Sequence, residues 1–394
     1  MKKISAILLL SAAVLTSCGT QPTVTETQTE TAAETSAATA EATTTDTESA
    51  VGEVSFTENI TFKKSKEILI KSGTWAPRVC AFGGSLLAGV ESPSGIIVLK
   101  SEDGGVTWRD PVTASFYPGL NCANVNFYGD GDTLYLAYRA TSDKDGARYT
   151  SLRVSESKDG GRTWSEHSTV CEYTDKAGRG GVWEPYLIRI NGELTCVYAN
   201  DLPSATSRQN IEYRIWNGEK WIKRTIISRG EDHDSRDGMP VLCRTPDGGY
   251  VCVIESTAER NKGYPFVLKA FYSDDGVSWS EPVTIYTPKT AGSKAAAPGV
   301  VYLPDGRLAV SFQTDEDATV KGDGTSVMKF MVSDGTDIRD ITEKSFTAPE
   351  NIFNTRDGDS SIWTGIFFDG ENIYAAAGTK RGSVMKKVCV INAD

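Results

Sequence analysis

One unit, repeated six times, constrains this chain more than any other feature: an apolar strand, a tight turn and a second apolar strand. In the copy from Gly181 to Tyr198, two runs of apolar and β-branched residues flank Asn191-Gly192, a dipeptide suited to the two-residue turn of a β-hairpin. A second copy places Arg78–Phe82 and Leu86–Glu91 about Gly83-Gly84, and a third places Asn124–Phe127 and Leu134–Arg139 about Gly129-Asp130-Gly131. The rest turn at Pro246-Asp247-Gly248-Gly249, Pro304-Asp305-Gly306 and Asp369-Gly370. Six copies at spacings of about 50 to 65 residues predict an all-β chain folded as a six-bladed β-propeller, each hairpin forming the inner half of a four-stranded blade.

The outer strands leave a second mark. Ser101-Glu102-Asp103-Gly104-Gly105-Val106-Thr107-Trp108 and Ser157-Lys158-Asp159-Gly160-Gly161-Arg162-Thr163-Trp164 share the pattern S-x-D-x-G-x-T-W, and Tyr272 to Trp279 fits it with Tyr in the Ser place. These stretches resemble Asp boxes, the turn between the third and fourth strands of sialidase-type blades. The Asp accepts backbone N–H bonds, the Gly supplies a left-handed turn and the Trp packs between blades, so these residues are expected to be structural.

Ahead of the repeats, Lys2 and Lys3 precede an apolar run from Ile4 to Leu15, too short to span a bilayer as a stable helix. It leads into Leu15-Thr16-Ser17-Cys18-Gly19, which resembles a bacterial lipobox with Cys18 as the lipidated residue; a plain secretory signal is the alternative. Residues 18–52 are dominated by Thr, Glu, Ala and Ser, a composition that buries too little to fold and suits a disordered tether. The expected organisation is a signal segment at 1–17, the tether at 18–52 and a propeller at 53–394. Such a chain is expected at a bacterial cell surface, held to the membrane by its lipid and otherwise a monomer.

The formal charge of −11 and the lack of any Lys/Arg block exclude nucleic acid as a partner. With Cys18 set aside, seven cysteines remain; Cys80, Cys196, Cys243, Cys252 and Cys389 lie in apolar runs as small hydrophobes, while a Cys122–Cys171 disulfide stays open. His167 reads as a solvated loop residue and His233 as part of an exposed loop. No cofactor or metal site is expected.

Antiparallel geometry locates the chemistry, because the start of a first strand and the end of a second lie at the same edge. The openings are Arg78, Asn124, Trp183 with Glu184, Arg236 with Asp237, Ala297 and Trp363; the closings are Glu91, Arg139, Asn200, Glu255, Gln313 with Asp315, and Thr379. Two carboxylates on neighbouring blades, Glu184 and Glu255, suit paired glycosidase chemistry, and the Trp residues suit sugar rings. Asn126, Arg139, Gln313 and Trp363 complete the candidate sugar-binding set.

Trp183-Glu184-Pro185-Tyr186, Arg236-Asp237-Gly238-Met239 and Val253-Ile254-Glu255 resemble the family 93 glycoside hydrolases, six-bladed exo-arabinanases, from about Trp75 onward. The resemblance implies a retaining exo-glycosidase acting on α-1,5-L-arabinan or a related plant polysaccharide, with Glu255 as nucleophile and Glu184 as general acid/base. It implies an ionised Glu255 beside Arg78 or Arg236, and Asp237 either binding sugar hydroxyls or capping a turn. A sialidase-type enzyme on host glycans is the rival; its arginine triad is incomplete, since the fifth hairpin opens on Ala297. A non-catalytic glycan-binding propeller is the second rival.

Overall fold

The computed structural model describes residues 60–392, apart from 145, 177–179, 202–207 and 354–358. The expected signal segment, Cys18 and the tether lie outside the described residues.

The chain begins with β1 (Ile60–Lys64) and β2 (Ile68–Ser72). Blade one follows as β3 (Trp75–Phe82), β4 (Ser85–Ser92), β5 (Gly95–Ser101) and β6 (Arg109–Thr113). Blade two is β7 (Asn121–Asp130), β8 (Thr133–Lys144), β9 (Ala147–Ser157) and β10 (Ser165–Asp175); blade three is β11 (Val182–Ile190), β12 (Glu193–Asn200), β13 (Asn210–Trp216) and β14 (Trp221–Ser228). Blade four is β15 (Asp237–Arg244), β16 (Tyr250–Ser256), β17 (Val267–Ser273) and β18 (Val283–Tyr286). Blade five is β19 (Ala295–Tyr302), β20 (Leu308–Thr314), β21 (Val327–Val332) and β22 (Glu350–Asn351), and blade six opens with β23 (Ile362–Phe368), β24 (Ile373–Thr379) and β25 (Gly382–Asn392).

Every blade is an antiparallel meander, and the sixth is completed by the chain's beginning: β1 and β2 both pair with β25. The first strands touch in a closed ring, β3 to β7 to β11 to β15 to β19 to β23 and back to β3. This is the predicted six-bladed propeller. The second strands have neighbouring blades on both faces, which is why they read as unbroken apolar runs; β16 and β20 are buried along their whole length. The fourth strand of blade one sits at the rim and is mostly exposed. Six apolar clusters fill the six gaps between blades, as in the packing of Leu87 and Val98 from blade one on Leu134 and Leu136 from blade two. The Asn191-Gly192 turn has the expected left-handed dihedrals, φ 52° and 80°.

Two boxes close as the pattern requires. Asp103 takes the Thr107 N–H at 2.9 Å and its hydroxyl at 2.6 Å, and Asp159 repeats both bonds with Thr163. The third box is shifted by one residue from the sequence alignment. Ser273 and Asp275, rather than Tyr272 and Asp274, hold the turn, because one residue fewer separates the carboxylate from Ser278. The box tryptophans pack as expected, Trp164 against the cluster between blades one and two and Trp279 against that between three and four.

Smaller expectations change. Cys122 and Cys171 are both free thiols. His167 is not a solvated loop residue; it lies within β10, half-buried between the rings of Tyr135 and Trp216 at 5.2 and 4.8 Å.

Candidate active site

All six first strands break register near their start. The pairing skips between Trp75 and Arg78, Ala123 and Asn126, Trp183 and Tyr186, Gly238 and Val241, Ala296 and Gly299, and Ile362 and Gly365. Within each skip one residue is left-handed: Ala76, Asn124, Glu184, Met239, Ala297 and Trp363, with φ between 47° and 59°. A non-glycine residue there is strained by about 1–2 kcal/mol, and such strain persists only where the surroundings hold it. In four copies a proline follows, at Pro77, Pro185, Pro240 and Pro298.

Four of the six bulges are held by a latch from the preceding blade. The Asn124 N–H donates to Glu91 Oε1 at 2.6 Å, the Ala297 N–H to Glu255 Oε2 at 3.0 Å and the Trp363 N–H to Gln313 Oε1 at 2.6 Å. Glu91, Glu255 and Gln313 are one structural position, each paired with the residue just before its own blade's bulge. Blades two, three and six depart from this rule, with Arg139, Ala199 and Gly378 at that position. With no acceptor on Ala199, the Met239 N–H donates instead to Glu184 Oε2 at 2.6 Å. Glu184, itself a bulge residue, thereby swings across to blade four.

That departure brings the two glutamates together. Glu255 stands opposite Gly238 in register, and Met239, the next residue, holds Glu184. The space between Gly238 and the Glu255 side chain is narrow: a Cβ built on Gly238 lies only 3.2 Å from Glu255 Oε1 and 3.4 Å from an Arg236 nitrogen. Arg236 Nη1 donates to Glu255 Oε1 at 3.1 Å, with its guanidinium 5.5 Å from the Phe266 ring. Glu255 is buried. Burial alone lowers the Arg236 pKa, but the charges of Glu255 and then Glu184 outweigh it and hold the pKa above the usual value.

Glu184 is pushed up to about 7. Burial is the main cause, because the carboxyl is enclosed by protein although one edge stays open to the cavity; the Glu255 charge adds to it. Arg236, the Met239 N–H and Arg139 act in the opposite direction. Two carboxyls on neighbouring blades thus stand in unlike surroundings, Glu184 with its pKa raised and Glu255 bonded to a guanidinium.

The other candidates divide. Arg78, Asn126 and Glu184 line a central cavity of about 550 Å³. Arg78 donates to the Trp363 carbonyl at 2.9 Å and lies across Gly365, where an added Cβ meets its Cδ at 2.8 Å. It faces Glu91 rather than Glu255, and among the described residues Arg236 is the cation bonded to Glu255. Asn126 accepts the Leu187 N–H at 2.7 Å, a latch between blades two and three. Gln313 is buried as the blade-six latch. Trp183 lies under the guanidiniums of Arg139 and Arg148, and Trp363 is 36% exposed at the mouth.

Asp237 neither meets the cavity nor caps a turn. It is buried, and the hydroxyls of Ser228, Ser235 and Ser256 donate to its carboxylate, which fixes the base of β15 beneath Glu255. Two residues escaped the sequence reading. Trp75 is 40% exposed at the mouth, and its signal was present, since Trp75-Ala76-Pro77 repeats Trp183-Glu184-Pro185. Gln209 donates to the Asp237 carbonyl at 2.7 Å and pairs in parallel with Arg236, with no sequence pattern to announce it.

No protein-family model and no curated protein matches the chain. Solved structures do. The fold is similar to that of sialidase β-propellers: a sialidase from Streptococcus pneumoniae aligns with a TM-score of 0.56 at 11% identity, over 81% of this chain and 70% of that one. The chain is also structurally similar to family 93 glycoside hydrolases. The α-L-arabinofuranosidase of that family from Fusarium graminearum, complexed with arabinobiose, aligns with a TM-score of 0.63 at 19% identity, over 83% of this chain and 98% of that one. The α-L-arabinanase of Penicillium chrysogenum, also complexed with arabinobiose, gives 0.61 at 19% identity, over 83% and 98%. At these identities the likeness is one of fold.

Proposed function

We propose that this protein is a retaining exo-glycoside hydrolase acting on α-1,5-L-arabinan or a closely related plant polysaccharide. The observation that carries the reading is the Glu184–Glu255 pair, one carboxyl pushed to about 7 and the other bonded to Arg236, at one mouth of the propeller. In the first step Glu255 attacks the anomeric carbon while Glu184 gives its proton to the departing glycosidic oxygen, leaving a glycosyl ester on Glu255. In the second step Glu184 takes a proton from water as that water attacks the same carbon and frees Glu255. The arabinobiose complexes of structurally similar enzymes support the sugar class.

Product analysis on linear α-1,5-arabinan and on sialyllactose tests the reading. Arabinobiose release supports it, and sialic acid release moves the protein to the rival chemistry. The pH profile tests the roles. Glu184 must be protonated in the first step, so kcat/KM is expected to fall as pH rises through about 7. In Glu184→Gln that alkaline limb disappears along with most of the activity. A limb that survives the substitution unchanged assigns the acid elsewhere.

The same reading takes Cys18 as the lipid attachment point and residues 18–52 as a spacer, at the surface of a bacterial cell. Palmitate labelling of the expressed chain is expected to vanish in Cys18→Ser; labelling that persists removes the anchor from the account.

A further inference from the structure

A second cavity, of about 450 Å³, opens between blades two and three beside the proposed reaction centre. We propose that it is a subsite for a carboxylate-bearing sugar, a uronic acid residue of the polysaccharide, gripped by Arg139 and Arg148; the proposal rests on the glycosidase reading and narrows its substrate class.

The unused donors of the cavity carry the argument. Arg139 makes its hydrogen bond to a neutral partner, Asn121 Oδ1 at 2.9 Å, and its Nε is buried without any acceptor. No carboxylate among the described residues lies within ion-pair distance of Arg139. Thr141 Oγ1, on the same cavity wall, is buried and unbonded as well. Arg148 is paired with Asp143 at 2.8 Å, and both line the cavity. Two guanidiniums and one carboxylate line the cavity, and the charges of Glu91 and Glu184 reach Arg139 from outside it without occupying its unused donors. An enclosed cation with unused donors is unfavourable until an anion arrives, and a guanidinium fork matches a carboxylate in geometry as well as in charge.

Trp183 ties the cavity to the reaction. The Arg139 and Arg148 guanidiniums lie 5.2 and 5.7 Å from the centre of its ring, and cation–π attraction holds them there. The next residue is Glu184. Arg139 is paired with Ala123, directly before the Asn124 bulge that lines the central cavity. A uronate seated between the arginines therefore belongs to the same glycan chain as the bond at Glu184.

Calorimetric titration of the full-length protein with digalacturonate, an aldobiuronic disaccharide, 3′-sialyllactose and neutral arabinotriose tests this. At least one uronate probe is expected to bind about tenfold more tightly in the wild type than in Arg148→Ala, the effect of one charge-assisted contact. Its affinity is expected to fall with added salt, while arabinotriose binds both proteins alike. Equal uronate affinity in the two proteins overturns the proposal, as does sialyllactose binding through Arg148 with no uronate binding. Arabinan turnover is read separately. Arg148-dependent uronate binding without turnover keeps the subsite and removes the arabinanase reading, and turnover without uronate binding does the reverse.

Discussion

Glu255→Gln is expected to fold normally and to lose about 10⁴-fold or more in kcat/KM on arabinan. Normal folding follows from the latch. Glu255 Oε2 accepts the Ala297 N–H, and at the equivalent position of blade five a carboxamide oxygen, that of Gln313, accepts the Trp363 N–H just as well. A Gln keeps that bond and removes the proposed nucleophile. Glu255→Ala goes further by opening a space where the proposed mechanism seats the anomeric carbon. Azide is expected to restore turnover in that variant and to give a glycosyl azide of inverted anomeric configuration, because it attacks from the vacated face. Azide rescue in the Glu184 variant alone, or more than a tenth of wild-type activity in Glu255→Gln, contradicts the assigned roles.

The largest effect on stability is expected from Lys329→Met. Lys329 on β21 is buried, as is Glu316, and the two form an ion pair that Asp317 joins from its exposed side. Glu316 also accepts the Tyr286 hydroxyl at 2.7 Å and the Lys289 N–H at 2.8 Å. Removing the cation leaves a carboxylate in the interior with neutral partners only, and breaking a buried pair from one side destabilises by about 3–5 kcal/mol. For a domain of this size that is a fall in Tm of about 10 °C. Lys329→Met with Glu316→Gln is expected to recover much of the loss, since no charge is then stranded. A single variant within about 1 kcal/mol of wild type by denaturant unfolding shows the pair to be dispensable.

The propeller was legible because its hairpins are. Strands with a neighbouring blade on each face must be apolar throughout, and β16 and β20 announce themselves in that way. Glu184 and Glu255 were legible as carboxylates at the ends of such runs. The latches were not, since a bulge is a matter of backbone dihedrals; the proline after Ala76, Glu184, Met239 and Ala297 is its only mark in the sequence. Without the latches, Gln313 and Asn126 passed for sugar ligands, although both are engaged by backbone N–H groups of the next blade. Asp237 failed for another reason. Its three serine partners come from β14, the turn before β15 and β16, and only the folded blade assembles them.

The closure of the sixth blade bears on how the ring forms. β1 pairs Ile60 with Asn392, a contact spanning nearly the whole described chain, whereas blades two to five are built from strands adjacent in sequence. Local meanders assemble early, but the loop joining the two partners of the last blade is closed last and carries the greatest entropy of closure. Until then the open edge of β25 is an unpaired strand seeking a partner, and a second copy of the same chain carries a β1 that fits it. Refolding at high concentration therefore favours dimers that exchange this strand, and dilution favours the closed ring.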